Sequence, residues 1–183
     1  EDVTEVLPPT LYNIQLWDSS NGSVAPTLMA KGYDVVLSNV DYVYLDAGNA
    51  GTFNAGGIWC QPYHEWSHMY EYLTDVHCAW NLTAELSTHL LGSKTVVWSE
   101  MIDSMNIEQK IWPRTAGLAE ALWGRGSSDI AKKKTSSWFS ADPRMQQWRN
   151  VMVQRGIQAE ALQTKWCQQR GAYACTVDEG TPQ

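Results

Sequence analysis

Phenylalanine is nearly absent: two of the 183 residues, beside ten tryptophans and eight tyrosines. The chain therefore favours aromatic rings with a polar edge over purely apolar ones. Such rings suit sugars, because the axial C–H face of a pyranose packs on an indole while its hydroxyls reach polar neighbours, although any single tryptophan serves equally well to fill a core. Basic residues are also in short supply. Thirteen Lys and Arg against twenty Asp and Glu leave a net charge of -7, which repels phosphate backbones and anionic membrane surfaces. Nucleic acid is excluded as a partner on that ground. No run of apolar residues approaches the length that crosses a bilayer, so no membrane span is expected. No internal repeat or low-complexity block interrupts the chain.

The paired Cys-x-x-Cys spacing of a zinc site is missing too. Cys60, Cys78, Cys167 and Cys175 are better explained as disulfides of an exported protein. Of the three connectivities, Cys60 with Cys78 and Cys167 with Cys175 are expected, because each closes a short local loop. Asn21-Gly22-Ser23 and Asn81-Leu82-Thr83 fit the N-glycosylation acceptor pattern, at Asn21 and Asn81, and point to the secretory pathway, extracellular or lysosomal. The chain nevertheless opens with Glu1-Asp2-Val3-Thr4-Glu5, acidic and too polar for a signal peptide. The expectation is a processed piece of a longer polypeptide. His64 and His68 stand four apart, as metal ligands on a helix can, but no third ligand presents itself. A solvated helix face is expected there, with no metal.

What is present reads as alternating strands and helices. Leu11 to Trp17 has the pattern of a buried strand that empties into a polar loop. Val24 to Lys31 comes next as a helix stopped by Gly32. Tyr33–Leu37 and Tyr42–Leu45 are β-rich, as is Thr95–Trp98, with a glycine-rich loop from Gly48 to Gly57. Pro113 suits the first turn of a helix that continues through Ala116–Trp123 to Gly124. Asp142-Pro143 is expected to open a last helix, with Met145, Trp148 and Met152 on one face and Gly156 as its stop. Strand, loop and helix in repetition predict a parallel α/β protein, either a β/α barrel or an open doubly wound sheet. In both, the C-terminal strand ends, where the aromatic and acidic residues fall, bind substrate.

Four blocks carry a resemblance. Asn13-Ile14-Gln15-Leu16-Trp17-Asp18 comes first, then Val36-Leu37-Ser38-Asn39 with Tyr42-Val43-Tyr44-Leu45-Asp46. Val97-Trp98-Ser99-Glu100 is third, and last come Trp112-Pro113-Arg114 and Ala119-Glu120-Ala121-Leu122-Trp123. In order and spacing they resemble the second half of the catalytic barrel of glycoside hydrolase family 20, the β-N-acetylhexosaminidases. Trp59-Cys60 is most similar to insect and crustacean members that degrade chitin fragments. The resemblance implies the C-terminal portion, about the last three β/α units, of an eight-stranded TIM barrel, completed by a separate N-terminal chain. Residues 1–9 would then be a cut loop, 10–124 the last barrel units, and 125–183 terminal helices with a disulfide-bonded tail.

The chemistry so implied is retaining and substrate-assisted, the 2-acetamido group of the sugar attacking its own anomeric carbon. No cofactor is implied. Tyr44 would hydrogen-bond the acetamido oxygen and steer it. Trp17 and Trp98 would wall the acetamido pocket and the terminal sugar, and Asp46 and Glu100 would accept hydrogen bonds from its hydroxyls. Trp59 would stack on the next sugar or pack under the lid. Arg114 would support the helix start by pairing. The family's catalytic Asp-Glu pair has no counterpart: the one Asp-Glu step, Asp178-Glu179, comes after no glycine-rich strand. Thr52 stands where those chitin-degrading members have a further Trp. The implied partners are an N-terminal chain of the same precursor, an oligosaccharide ending in N-acetylhexosamine, and, since family members often pair, a second two-chain unit in a homodimer. A noncatalytic N-acetylglucosamine-binding glycoprotein is the alternative.

Overall fold

The structure, a computed structural model, describes residues 6–18, 24–49, 61–80, 82–124, 138–165 and 169. Its centre is a parallel three-stranded sheet of β1 (Ile14–Leu16), β2 (Val35–Leu37) and β3 (Leu90–Ser93), in that spatial order. Ile14 pairs with Val35 and Leu16 with Leu37, and β3 joins through Val35–Leu90 and Leu37–Ser93, with a register irregularity between Val35 and Val36. Parallel neighbours need long crossovers, and helices supply them. Helix α1 (Val24–Ala30) connects β1 to β2, and α2 (Val40–Val43), α3 (Trp66–Trp80) and α4 (Ala84–Ser87) lie between β2 and β3. After β3 come α5 (Ile107–Ile111), α6 (Arg114–Gly124) and α7 (Trp138–Gln154). The parallel α/β class expected from the sequence is observed.

Two apolar clusters hold these elements. The sheet residues Val35 and Leu37, with Val43 and Leu45, are buried against Met69, Tyr72 and Leu73 of α3 and Leu118 of α6. A second cluster joins Trp66 and Tyr70 of α3 to Ala116 and Ala121 of α6 and to Ala141, Met145 and Met152 of α7. Helices α3 and α6 approach closely at Gly117, where a Cβ would stand 3.1 Å from the Trp66 carbonyl oxygen.

Several boundaries differ from the sequence expectation. As expected, helix α1 does end at Gly32, whose φ of +87° an L side chain rarely adopts. Leu11–Trp17 contracts to β1, which is half-buried and not buried, because it lies at the edge of the sheet among the described residues. Tyr42–Leu45 is not a strand: Tyr42 and Val43 donate their N–H groups to the Asn39 carbonyl in the single turn of α2. Tyr42 packs on Tyr72 and His68 there, ring centroids 4.7 and 4.8 Å away, so tertiary contact overrides its β preference. Among the described residues only Val96 of Thr95–Trp98 pairs, in a parallel bridge with Tyr44, and the strand proper comes earlier, around Gly92. The last helix begins at Trp138 and carries Pro143 inside it. Met145 and Met152 are buried as expected, whereas Trp148 is partly exposed, and Gly156 closes the helix region with φ +85°. Among the described residues no helix is long and apolar enough to cross a membrane.

Candidate functional site

The C-terminal ends of the three strands lie side by side, so the residues just after each strand come together on one rim of the sheet. Trp17 succeeds β1, and its carbonyl accepts from the Val40 N–H (2.9 Å) beyond β2. Ser38 links the same two ends: its N–H donates to the Leu16 carbonyl (2.7 Å) and its hydroxyl accepts from Gln15 Nε2 (2.7 Å). Asn39 is buried and fixed by Tyr72, whose hydroxyl donates to Asn39 Oδ1 at 2.6 Å.

The chain after α2 then runs beside the chain after β3. Leu45 N–H donates to the Val96 carbonyl (2.7 Å) and Val96 N–H to the Val43 carbonyl (2.9 Å). This short ladder places Tyr44, which is buried, and Asp46, 1 % exposed, opposite Val96 and Trp98. Asp46 Oδ1 accepts from the Trp98 backbone N–H (3.3 Å), whereas Oδ2 is buried with no hydrogen-bond partner among the described residues. Burial pushes the Asp46 carboxyl above its ordinary range; its own and the Trp98 backbone N–H groups oppose that, Glu100 adds to it, and Arg114 opposes it. Glu100 is thus within electrostatic reach of Asp46 and is itself exposed. Trp17 and Trp98 present their side chains outward, 59 % and 54 % exposed. The rim gathers a buried carboxylate with a free acceptor, an exposed carboxylate, a tyrosine and two open indoles, the chemistry for holding a hydroxyl-rich ring.

Arg114 lies beneath this rim and carries more than its sequence position suggested. It donates to three backbone carbonyls outside α6: Lys110 of α5 (3.1 and 2.6 Å), His64 (3.0 Å) and Leu45 (2.7 Å). Its guanidinium also sits 4.3 Å from the Tyr63 ring centroid. Tyr63 in turn hydrogen-bonds Glu160. No residue-type pattern marks this network, because its acceptors are backbone carbonyls.

His64 and His68 do not form a solvated helix face. His64 precedes α3 and is buried, with Nε2 lacking a partner among the described residues, while His68 is exposed within α3. Burial, with His68 second, holds the His64 imidazole below its ordinary pKa. Among the described residues no group of three or more His, Cys, Asp or Glu could hold a metal ion. Trp59, Cys60, Thr52, Asn21, Asn81, Cys167, Cys175 and the Asp178-Glu179 step lie outside the described residues, as does the side chain of Cys78 in α3. Cavities of about 320, 360 and 390 Å³ occur elsewhere and share no residue with the rim.

Residues 1–125 match the glycosyl hydrolase family 20 catalytic domain. The chain is 35% identical over 162 residues to a chitooligosaccharidolytic β-N-acetylglucosaminidase of Ostrinia furnacalis, covering 88% of this chain and 25% of that protein. It is 31% identical over 192 residues to a β-hexosaminidase of Emericella nidulans, covering 93% of this chain and 30% of that one. The fold superposes on the Flavobacterium johnsoniae chitobiase with a TM-score of 0.56 at 22% identity, over 84% of this chain and 21% of that structure. The chain thus spans between a quarter and a third of the length of the two relatives it matches in sequence.

Proposed function

The chain belongs to glycosyl hydrolase family 20, and from that premise we propose that it is the C-terminal part of an exo-acting β-N-acetylhexosaminidase barrel. It supplies the sugar-binding wall, and the segment bearing the catalytic Asp-Glu pair completes the barrel as a separate N-terminal chain. The assembled enzyme releases terminal N-acetylglucosamine or N-acetylgalactosamine from chitooligosaccharides or glycans, with retention. The sequons at Asn21 and Asn81 and the four cysteines support a secretory-pathway location.

The observation that carries this reading is Asp46 Oδ2, a buried carboxylate oxygen beside the Trp98 backbone and without a partner among the described residues. An acceptor left unsatisfied in a low-dielectric setting is costly unless a ligand completes it. A sugar hydroxyl has the required donor, and an exposed indole alongside offers its ring face. Asp46 and Glu100 accept the hydroxyls of the terminal sugar, so that only a chain end fits. Trp17 and Trp98 exclude water from the reacting centre. Tyr44 donates to the acetamido oxygen and orients it for attack on the anomeric carbon, a contribution realised mainly in the transition state.

The test is steady-state hydrolysis of an aryl N-acetyl-β-glucosaminide by the assembled enzyme. Tyr44→Phe is expected to lower kcat by about 100-fold with little change in KM, the scale of losing one positioned donor. Asp46→Asn is expected to raise KM by about tenfold or more, as when a hydroxyl loses a charged acceptor. An unchanged kcat in the first variant removes Tyr44 from the mechanism, and an unchanged KM in the second removes Asp46 from the site. A folded chain that works alone and binds N-acetylglucosamine without turnover would favour the noncatalytic alternative.

A further inference from the structure

The buried Arg114 has a geometry that helix capping does not require. A capping role is complete once the Lys110 carbonyl, one turn back, is satisfied. The remaining donors reach across the fold, Nη1 to the His64 carbonyl and Nη2 to the Leu45 carbonyl, with the residue as a whole 1 % exposed. Leu45 is the residue before Asp46. Its peptide is held from both sides, the N–H by the Val96 carbonyl and the C=O by Arg114. The Asp46 carbonyl is held as well, by Asn49 Nδ2 at 2.7 Å. The backbone on either side of Asp46 is therefore clamped, while its Oδ2 has no hydrogen-bond partner among the described residues.

We propose that Arg114 is a positioning residue for Asp46: its fork fixes the Leu45 carbonyl and so holds the Asp46 carboxylate where a sugar hydroxyl meets it. This rests on the reading of Asp46 as a hydroxyl acceptor. The guanidinium suits the task because it is planar and offers five donors in fixed directions, so three carbonyls from three segments are bound at once. The Tyr63 ring, 4.3 Å away, holds the guanidinium by cation–π attraction. Lysine has neither the plane nor the fork. The roles differ from those of the rim residues, because Arg114 touches no substrate and acts through the peptide next to Asp46.

The experiment is a double-mutant cycle in the assembled enzyme with an aryl N-acetyl-β-glucosaminide, using Arg114→Gln, Arg114→Lys, Asp46→Asn and the combinations. Arg114→Gln is expected to raise KM by about tenfold with kcat changed by less than about threefold, and in the Asp46→Asn background to change KM by less than about twofold. Arg114→Lys, which keeps the charge and loses the fork, should raise KM nearly as much. A merely structural arginine gives an equal loss in both backgrounds, and that result overturns the proposal, as does a folded Arg114→Gln protein with wild-type KM. Should Arg114→Gln fail to fold, Tyr63→Leu takes its place. Loss of the supporting ring is expected to raise KM by about threefold, abolished in the Asp46→Asn background, and an unchanged KM overturns the proposal. Asp46→Asn alone separates the two levels: a wild-type KM there fails the site reading itself, whereas a raised KM with additive Arg114 effects fails only the positioning role.

Discussion

Keeping Asp46 ionised works against the stability of the fold, since burial is the largest influence on its carboxyl and raises its pKa. The folded chain therefore retains this proton above pH 3.8, where the unfolded chain has begun to lose it. More protons bound when folded means that stability falls as pH rises from that value through the folded pKa. Asp142, also raised by burial, contributes with the same sign. His64 has the opposite sign: its folded pKa lies below 6.5, so the stability of the neutral form is lost as pH falls from 6.5 through the folded value. Thermal denaturation of the assembled enzyme across mildly acidic to neutral pH should show Asp46→Asn losing part of the decline with rising pH. A variant whose midpoint tracks the wild type in parallel at every pH would show that Asp46 is not buried as an anion. At this scale the sequence is informative where residue type carries the resemblance. Trp98 and Asp46, fifty-two positions apart, fall in one site by resemblance and are joined by a hydrogen bond from the Trp98 backbone N–H to the Asp46 carboxylate. Arg114 is legible only in part, since backbone carbonyls are the same in every residue.

Helices and strands are legible where local chemistry agrees with tertiary demand. Gly32 stops α1 and Gly156 the last helix region, both with positive φ. Disagreement produces the errors. The sequence places a β-rich run at Thr95–Trp98, whereas β3 comes earlier, with Gly92, a residue that contributes no side chain to a β pattern, inside it at φ +142° and against Leu122. Pro143 reads as a helix start yet lies within α7, which begins at Trp138 and is held by packing of Ala141 and Met145. The α3–α6 contact offers a quantitative check. Alanine at position 117 would favour an isolated helix by about 1 kcal/mol. Here its Cβ would meet the Trp66 carbonyl oxygen at 3.1 Å and the indole Cε3 at 3.2 Å, and backbone gives way poorly. Overpacking should prevail, so Gly117→Ala is expected to be net destabilising by about 1–2 kcal/mol. A urea midpoint lowered accordingly is the expected result, and a raised midpoint would mean the helices separate freely at that contact.

For the whole molecule, the sheet decides what the chain can do alone. Its order leaves β1 and β3 as outer strands among the described residues, with open main-chain edges that invite pairing. Leu91 on β3 is 53 % exposed and Trp123 at the end of α6 is 92 % exposed, and both line a cavity with Val36 and Leu122. An edge strand and an apolar hollow together form a surface that one further strand and its side chains would fill, which is what a barrel supplies and a three-stranded sheet lacks. The isolated chain should therefore self-associate, and Leu91→Lys should act with opposite signs in two settings. Alone, the charge blunts the edge and lowers light scattering on concentration. With the complementary N-terminal part, the same charge is forced under cover without a partner, and hexosaminidase activity should fail to appear. A variant that reconstitutes activity as well as the wild type would place the seam of the barrel away from β3, and the two-chain proposal would need a different junction.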